Sequence, residues 1–370
     1  AAWEGGGGDD VRPNAAHFHA VLDATAERAA ADGRGAGTCD AALSLLDDLW
    51  ELYDACGEDD ARPTARTYNS LMNVLAKSGE QKAAERAEAI LAHMAPQDGA
   101  APPSPDTVRM PPDVFPDVRS YTVAIDAWAR SNTGGDGARR AERILRRMHA
   151  ARAADPSAPA PTVACYNAVL HAWARSGERG APGRAADVLS WMGALAVTGA
   201  GVRPDVTSVN CVLDAWAKSG ERHAPEMAWD ALVDTMHAYD AAVAGGEESA
   251  APRPDVITFN CAIGACRHVR GRTAGERKDA LAIARRAYRV LLARPEFGAP
   301  TSETYASLLS AAVSLGDGPS GERDALVQEY FGRCRDDGLL DDFTLGLLRR
   351  RLSGDDAFEK LLGDQMEKGT

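Results

Sequence analysis

The sequence contains no run of eighteen apolar residues, the length at which a stretch becomes a candidate membrane-crossing helix. Its seven cysteines (Cys39, Cys56, Cys165, Cys211, Cys261, Cys266, Cys334) include no CxxC pair, which argues against both a disulfide framework and a zinc site. The eight histidines fall in no HExxH or other metal-ligand spacing, and no Ser-His-Asp grouping can be assembled from the order of residues. Positive charge is also scarce. Lys and Arg number 41 against 54 Asp and Glu, for a net charge of -13. Such a chain lacks the broad positive field of a nonspecific polyanion binder, so recognition of a polyanion has to be local.

What is present is repetition. The stretch YNAVLHAWARSG beginning at Tyr166 returns as YNSLMNVLAKSG at Tyr68, YTVAIDAWARSN at Tyr121 and VNCVLDAWAKSG at Val209, with weaker copies at Phe259 and Tyr305. In the first of these, Tyr166, Val169, Leu170 and Trp173 stand at i, i+3, i+4 and i+7, one face of an α-helix. The same offsets give Tyr68, Leu71, Met72 and Leu75, then Tyr121, Ala124, Ile125 and Trp128, then Val209, Val212, Leu213 and Trp216. Each copy closes on a Ser-Gly or Ser-Asn stop. A second helical pattern follows, ending near Met94, Ala150, Leu195 and Met236. No strand-like alternation appears between units. The 45% hydrophobic and 26% charged content is ample for a core. The fold class expected is all-α: a right-handed α-solenoid of about seven stacked helix-turn-helix pairs.

Residues 1–14 read as a glycine-rich, acidic, flexible lead-in. The repeat array is expected over 15–342, opening with a degenerate unit from Ala15 through a helix around Leu43 to Tyr53. First helices restart at Ala65, Val118, Val163, Val206, Val256 and Ser302, at intervals of 53, 45, 43, 50 and 46 residues. The surplus length falls in Ala95–Pro116, Ala151–Pro161 and Ala244–Pro254, read as loops that leave the stacked helices untouched. Residues 343–370 are expected to form capping helices, over Phe343–Leu352 and Ala357–Met366.

Each first helix is preceded by Pro-Asp or Pro-Thr (Pro63-Thr64, Pro116-Asp117, Pro161-Thr162, Pro204-Asp205, Pro254-Asp255, Pro300-Thr301) and begins x-x-[TSC]-[YFV]-[NT] in most units. This resembles the pentatricopeptide repeat family, P-type-like with lengthened inter-repeat loops, over about 330 residues. The tetratricopeptide pattern fits worse, because Trp comes late and the Leu-Gly pair is missing. The resemblance implies sequence-selective reading of single-stranded RNA at one nucleotide per repeat. It places base reading on the residue after the helix-starting aromatic, here Asn69, Thr122, Asn167, Asn210 and Asn260, with Ala306 a poor match. The partner role falls on the last residue of the repeat: Asp117, Thr162, Asp205, Asp255 and Thr301. The pairs Asn69 with Asp117, Asn167 with Asp205 and Asn210 with Asp255 resemble the family's uracil-preferring combination, so the RNA is expected to be U-leaning. Some relatives append a nuclease or deaminase-like domain. Neither is visible here, and the acidic pairs Asp341-Asp342 and Asp355-Asp356 read as solvated turn carboxylates.

The residue chemistry fits. An Asn side chain offers a donor and an acceptor to a base edge. Polar positions then recur one and two turns on (Asn69, Asn73, Lys77; Thr122, Asp126, Arg130; Asn167, His171, Arg175; Asn210, Asp214, Lys218), each row ending in a cation. Lys77, Arg130, Arg175 and Lys218 are thus the candidate phosphate contacts. The same Asp and Thr stand where helix N-caps belong, and the same cations suit a helix C-terminus, so both sets carry a structural role as well. Trp128, Trp173 and Trp216 fall on the buried stripe and read as core. The chain is expected to be no enzyme and to need no cofactor or metal. Its expected work is organellar RNA processing, stability or translation, in mitochondrion or chloroplast, with other proteins of an RNA-processing or ribosomal complex as further partners and no membrane. The alternative is a protein-protein interaction scaffold of the same fold.

Overall fold

The computed structural model describes residues 13–32, 36–95, 108–199, 201–247, 250–267, 273–314 and 322–351. Most of the lead-in and the terminal helix expected over Ala357–Met366 lie outside them. Among the described residues all regular structure is helical. The helices are α1 (Ala15–Asp32), α2 (Ala36–Cys56), α3 (Ala65–Ser78), α4 (Gln81–Met94), α5 (Val118–Arg130), α6 (Gly135–Ala154), α7 (Val163–Ser176) and α8 (Ala181–Val197). They continue as α9 (Val206–Ser219), α10 (Ala224–Ala244), α11 (Val256–Gly264), α12 (Ala274–Ala293), α13 (Ser302–Val313), α14 (Glu322–Asp336) and α15 (Asp342–Arg351). The six predicted first-helix starts are the observed ones, because Pro followed by an Asp or Thr cap fixes where a helix can begin.

Two compact units, Ala1–Ala172 and Trp173–Thr370, divide the chain within α7. In the first unit α1, α3 and α5 pack in succession, with α2 against α1 and α3, α4 against α3 and α5, and α6 against α5. In the second, α9, α11 and α13 pack in succession, with α8 and α10 against α9, α10 and α12 against α11, and α14 and α15 against α13. Each unit is therefore a stack of helical hairpins, its first helices forming one row. The predicted apolar stripes are the core of that stack. Tyr68, Leu71, Met72 and Leu75 are buried, as are Tyr166, Val169, Leu170 and Trp173, and even the largest, Trp128 and Trp216, are only 3% and 8% exposed.

The serine of each stop bonds back to the carbonyl three residues earlier, Ser78 to Leu75 at 2.7 Å and Ser219 to Trp216 at 2.9 Å. The next residue then turns left-handed: Gly79 at φ 70° and Gly220 at φ 64°. Where the sequence has Ser-Asn, Asn132 takes that conformation at φ 52°, one of the few residue types that tolerates it. The weak copy at Phe259 lacks this stop. Its helix α11 ends after 9 residues and runs into a single 3-10 turn over Ala265–Arg267.

Two expectations about the surplus length change. Part of it extends the second helices, α6 to Ala154 and α10 to Ala244, since Ala-rich sequence continues a helix until something stops it. The end of the Ala95–Pro116 segment is also not a detached loop. The Arg109 carbonyl accepts from the Trp50 indole at 3.1 Å and the Tyr68 hydroxyl at 2.7 Å. Its guanidinium lies 3.8 Å from the Trp50 ring centroid and pairs with Asp54 at 2.6 Å. Two buried aromatic donors need an acceptor, and the loop backbone supplies it.

Alanine at a left-handed residue costs about 1–2 kcal/mol. A Cβ on Gly79 would meet the Arg130 carbonyl oxygen at 3.3 Å, whereas one on Gly220 would meet nothing within 4 Å. Gly79→Ala is therefore expected to lower the urea midpoint more than Gly220→Ala, each read by circular dichroism.

Candidate functional site

The start of each first helix carries one recurring cluster. At α5, Asp117 caps the helix by accepting from the Ser120 backbone N–H at 2.7 Å, and the Ser120 hydroxyl accepts from the Asp117 N–H at 3.1 Å. The reciprocal pair is a capping box. The preceding first helix reaches into it. Asn69 donates through Nδ2 to both Asp117 carboxylate oxygens, at 3.1 and 3.2 Å, and its Oδ1 accepts from the Ser120 hydroxyl at 2.7 Å. The two residues predicted to act as a pair, one in each of two successive repeats, are thus in direct contact.

The same arrangement recurs along the rows. Asn260 donates to the Thr301 hydroxyl at 3.1 Å and accepts from Thr304 at 2.6 Å. Asn210 donates to Asp255 at 3.2 Å. Here, however, the Thr258 hydroxyl points to Asp255 at 2.9 Å, and Asn210 Oδ1 is buried without a partner. Thr122 and Thr162 are joined through a thiol instead: Cys165 Sγ lies 3.3 Å from Thr122 Oγ1 and 3.6 Å from Thr162 Oγ1. Asn167 sits half-buried on α7, and Asp205 caps α9 by accepting from Ser208 N–H at 2.8 Å. Exposure differs among the readers. Asn69 and Asn260 are 2% and 6% exposed, while Asn210 and Thr122 are half-buried.

Sequence reasoning missed two members of this set. One is the third residue of the following helix, Ser120 or Thr304, whose hydroxyl fixes the amide. The capping-box spacing after Pro-[Asp/Thr] was the signal available. The other is His19 on α1, which stands one place after Phe18 as Asn69 stands after Tyr68. It is 5% exposed, and its Nε2 lies 2.9 Å from Thr67 Oγ1. Burial and the Arg66 charge hold its pKa below the ordinary imidazole value, against a smaller opposing effect of Asp23. His149 is lowered as well, by burial, and bonds the Tyr166 hydroxyl.

The four predicted phosphate contacts are not alike. Arg130 pairs with Asp126 at 2.7 Å and Lys218 with Asp214 at 2.6 Å, each within its own helix at i,i+4 spacing. Among the described residues no ion pair is recorded for Lys77 or Arg175, and Arg175 is exposed. The cysteines next to the readers, Cys211 and Cys261, are both pushed up to about 12, chiefly by burial, and behave as packed thiols. Among the described residues no group of three or more His, Cys, Asp or Glu is placed to hold a metal ion.

No protein-family model matches the chain, and no curated protein matches it. Solved structures similar to it include two of the pentatricopeptide repeat protein PPR10 in complex with an 18-nucleotide psaJ RNA element, one of them with three cysteine-to-serine substitutions. Each is 16% identical, with a TM-score of 0.27. The match covers 95% of this chain, which spans about 61% of the length of each of those chains. The repeat pattern of the sequence resembles the pentatricopeptide one, and among the described residues the repeats fold as helical hairpins.

Removing one partner of a buried hydrogen-bonded set leaves the others unsatisfied, at about 1–3 kcal/mol. Asn69→Ala removes a donor to Asp117 and an acceptor of the Ser120 hydroxyl, whereas Asn210→Ala removes a side chain with an orphaned carbonyl. Chemical denaturation is expected to show the larger loss for Asn69→Ala. The histidines give a second expectation. Their folded pKa values lie below the unfolded value near 6.5, so the unfolded state binds protons first as pH falls. Stability is fully present above about pH 6.5 and is lost as pH drops through and below that value. Melting temperatures between pH 7.5 and 5 are expected to decline less in His19→Gln and His149→Gln than in the unaltered chain.

Proposed function

We propose that the chain binds single-stranded RNA along the rows of its first helices, one nucleotide to each repeat. The observation that carries this reading is the contact between predicted reader and predicted partner, Asn69 with Asp117, Asn210 with Asp255 and Asn260 with Thr301. An Asp carboxylate accepts only, so it turns the amide nitrogen toward itself and sets which edge remains for a base. At Asn69 and Asn260 little of the amide is left uncovered, and a base would meet its edge alone. Asn167 and Asn210 are the more accessible readers. Asn with Asp in three of the five pairs makes the preferred strand U-leaning. Thr122 with Thr162 carries no comparable preference.

Backbone contact falls on Lys77 and Arg175 first. Arg130 and Lys218 already have a carboxylate neighbour, so each adds less attraction for a phosphate. The role in the cell under this reading is processing, stability or translation of an organellar transcript, in mitochondrion or chloroplast, alongside other proteins of that machinery. The second reading is a protein-binding scaffold, favoured by the charge of -13 and by the carboxylates interleaved with the cations.

Fluorescence titration with U-rich and A-rich single strands at two salt concentrations separates the two. Preferential, salt-sensitive binding of the U-rich strand is expected, and no binding at low salt would discard the RNA reading. Asn167→Ala is expected to weaken a matched strand by about 1–3 kcal/mol while leaving a mismatched one little changed. Arg175→Ala is expected to weaken all strands alike and flatten the salt slope, and Lys218→Ala to do the same to a smaller extent.

A further inference from the structure

The most basic element of this acidic chain is a second helix. Over Gly135–Ala154, α6 carries six arginines against one Asp and one Glu, in a chain whose net charge is -13. Three of those arginines, Arg139, Arg140 and Arg143, line a cavity of about 550 Å³ beside the turn from α5 to α6. Its size is that of a small-ligand site. The cavity lies at the end of α5 opposite Asp117, about 20 Å away along a 13-residue helix.

We propose that this cavity is a binding site for a phosphate-bearing ligand, separate from the Asn and Asp row. Two of its three guanidiniums have partners that orient them. Arg140 stacks 4.6 Å from the Trp128 ring centroid and reaches Glu88 at 3.3 Å, while Glu88 also accepts from the Trp128 indole at 2.9 Å. Glu88 thus fixes Arg140 against the wall, and the fork keeps donors to spare. Arg139 is tied to Asp136 at 2.8 Å, the one carboxylate lining the cavity. Arg143 is exposed, and among the described residues no carboxylate is recorded against it.

The rest of the wall is polar. Gly134 stands at the N-cap of α6, at the cavity's edge, and supplies no side-chain cap. The Ser131 and Thr133 hydroxyls, 2.7 Å apart, are packed against Gly137, where a Cβ would lie 2.6 Å from Thr133 Oγ1. The wall therefore has little freedom to collapse inward. Fixed, planar donors around one surplus positive charge select a multivalent oxyanion over a carboxylate, which the -13 chain elsewhere repels.

The test is calorimetric titration of the full chain with inorganic pyrophosphate, which does not depend on the RNA reading. Saturable binding is expected, weakened roughly tenfold in Arg143→Gln and in Arg139→Gln. Both side chains are exposed, so circular dichroism is expected to be unchanged. Arg28→Gln, an exposed position on α1 outside the cavity, is expected to bind pyrophosphate normally. Oligouridylate added to the pyrophosphate complex identifies the source of the phosphate. Displacement assigns the site to a strand's backbone, and simultaneous binding assigns it to a free phosphorylated ligand. Absence of saturable binding at millimolar pyrophosphate, or affinity in the two arginine variants equal to that of the unaltered chain, overturns the proposal.

Discussion

The third residue of each first helix from α3 to α13 is buried, and the first backbone N–H groups of such a helix have no helical partner. A polar group taken out of water must be paired, and the pairing must come from nearby atoms. Asp117 and Ser120 satisfy each other across the first turn of α5, and Asn69 from α3 completes the set. Because the amide meets an acceptor on one side and a donor on the other, sliding α3 against α5 would break several bonds at once. The apolar stripes supply most of the burial, but a greasy surface is tolerant of register. The polar cluster is what fixes the step from one hairpin to the next, as the same set at Asn260, Thr301 and Thr304 repeats in the second unit.

That constraint also shapes what the row can recognise. A side chain already held by its neighbours presents one edge, with little rotamer entropy left to lose on binding. Preorganisation of this kind favours selectivity. It also limits reach, since Asn69 is almost wholly covered and Asn210 is not. The orphaned carbonyl of Asn210 makes that unit the one reader with an unfilled acceptor. Charge follows a similar logic. Asp126 and Asp214 quieten the cations of their own helices, whereas α6 gathers arginine at a different place. An acidic protein can still bind a polyanion where geometry concentrates a few guanidiniums, because screening makes the net charge matter less than the nearest neighbours.

Much of this was legible in the residues. The i, i+3, i+4, i+7 spacing of Tyr166, Val169, Leu170 and Trp173 named the buried face, since helical period leaves no other way to gather four large side chains. Pro-Asp and Pro-Thr marked six helix starts, and Ser-Gly or Ser-Asn marked their stops. The reader and partner residues came from resemblance to a repeat family, and spacing along the chain could not have joined them, being 48 residues apart at Asn69 and Asp117. The capping-box spacing could mark Ser120 as a capping residue, but not its contact with Asn69, nor that of His19 with Thr67. Each depends on a neighbour one hairpin away.

The sequence by itself determined the local elements: which segments are helical, where they begin and end, and which face is apolar. These are set by interactions within about seven residues, which a linear pattern contains. Only the tertiary structure decided that Asn69 points at Asp117, that Arg109 closes over Trp50, that Arg130 and Lys218 turn back on their own helices, and that three arginines of α6 share a cavity with Trp128. Those outcomes depend on which polar groups burial brings together and leaves in need of a partner, and packing settles that only after the helices exist.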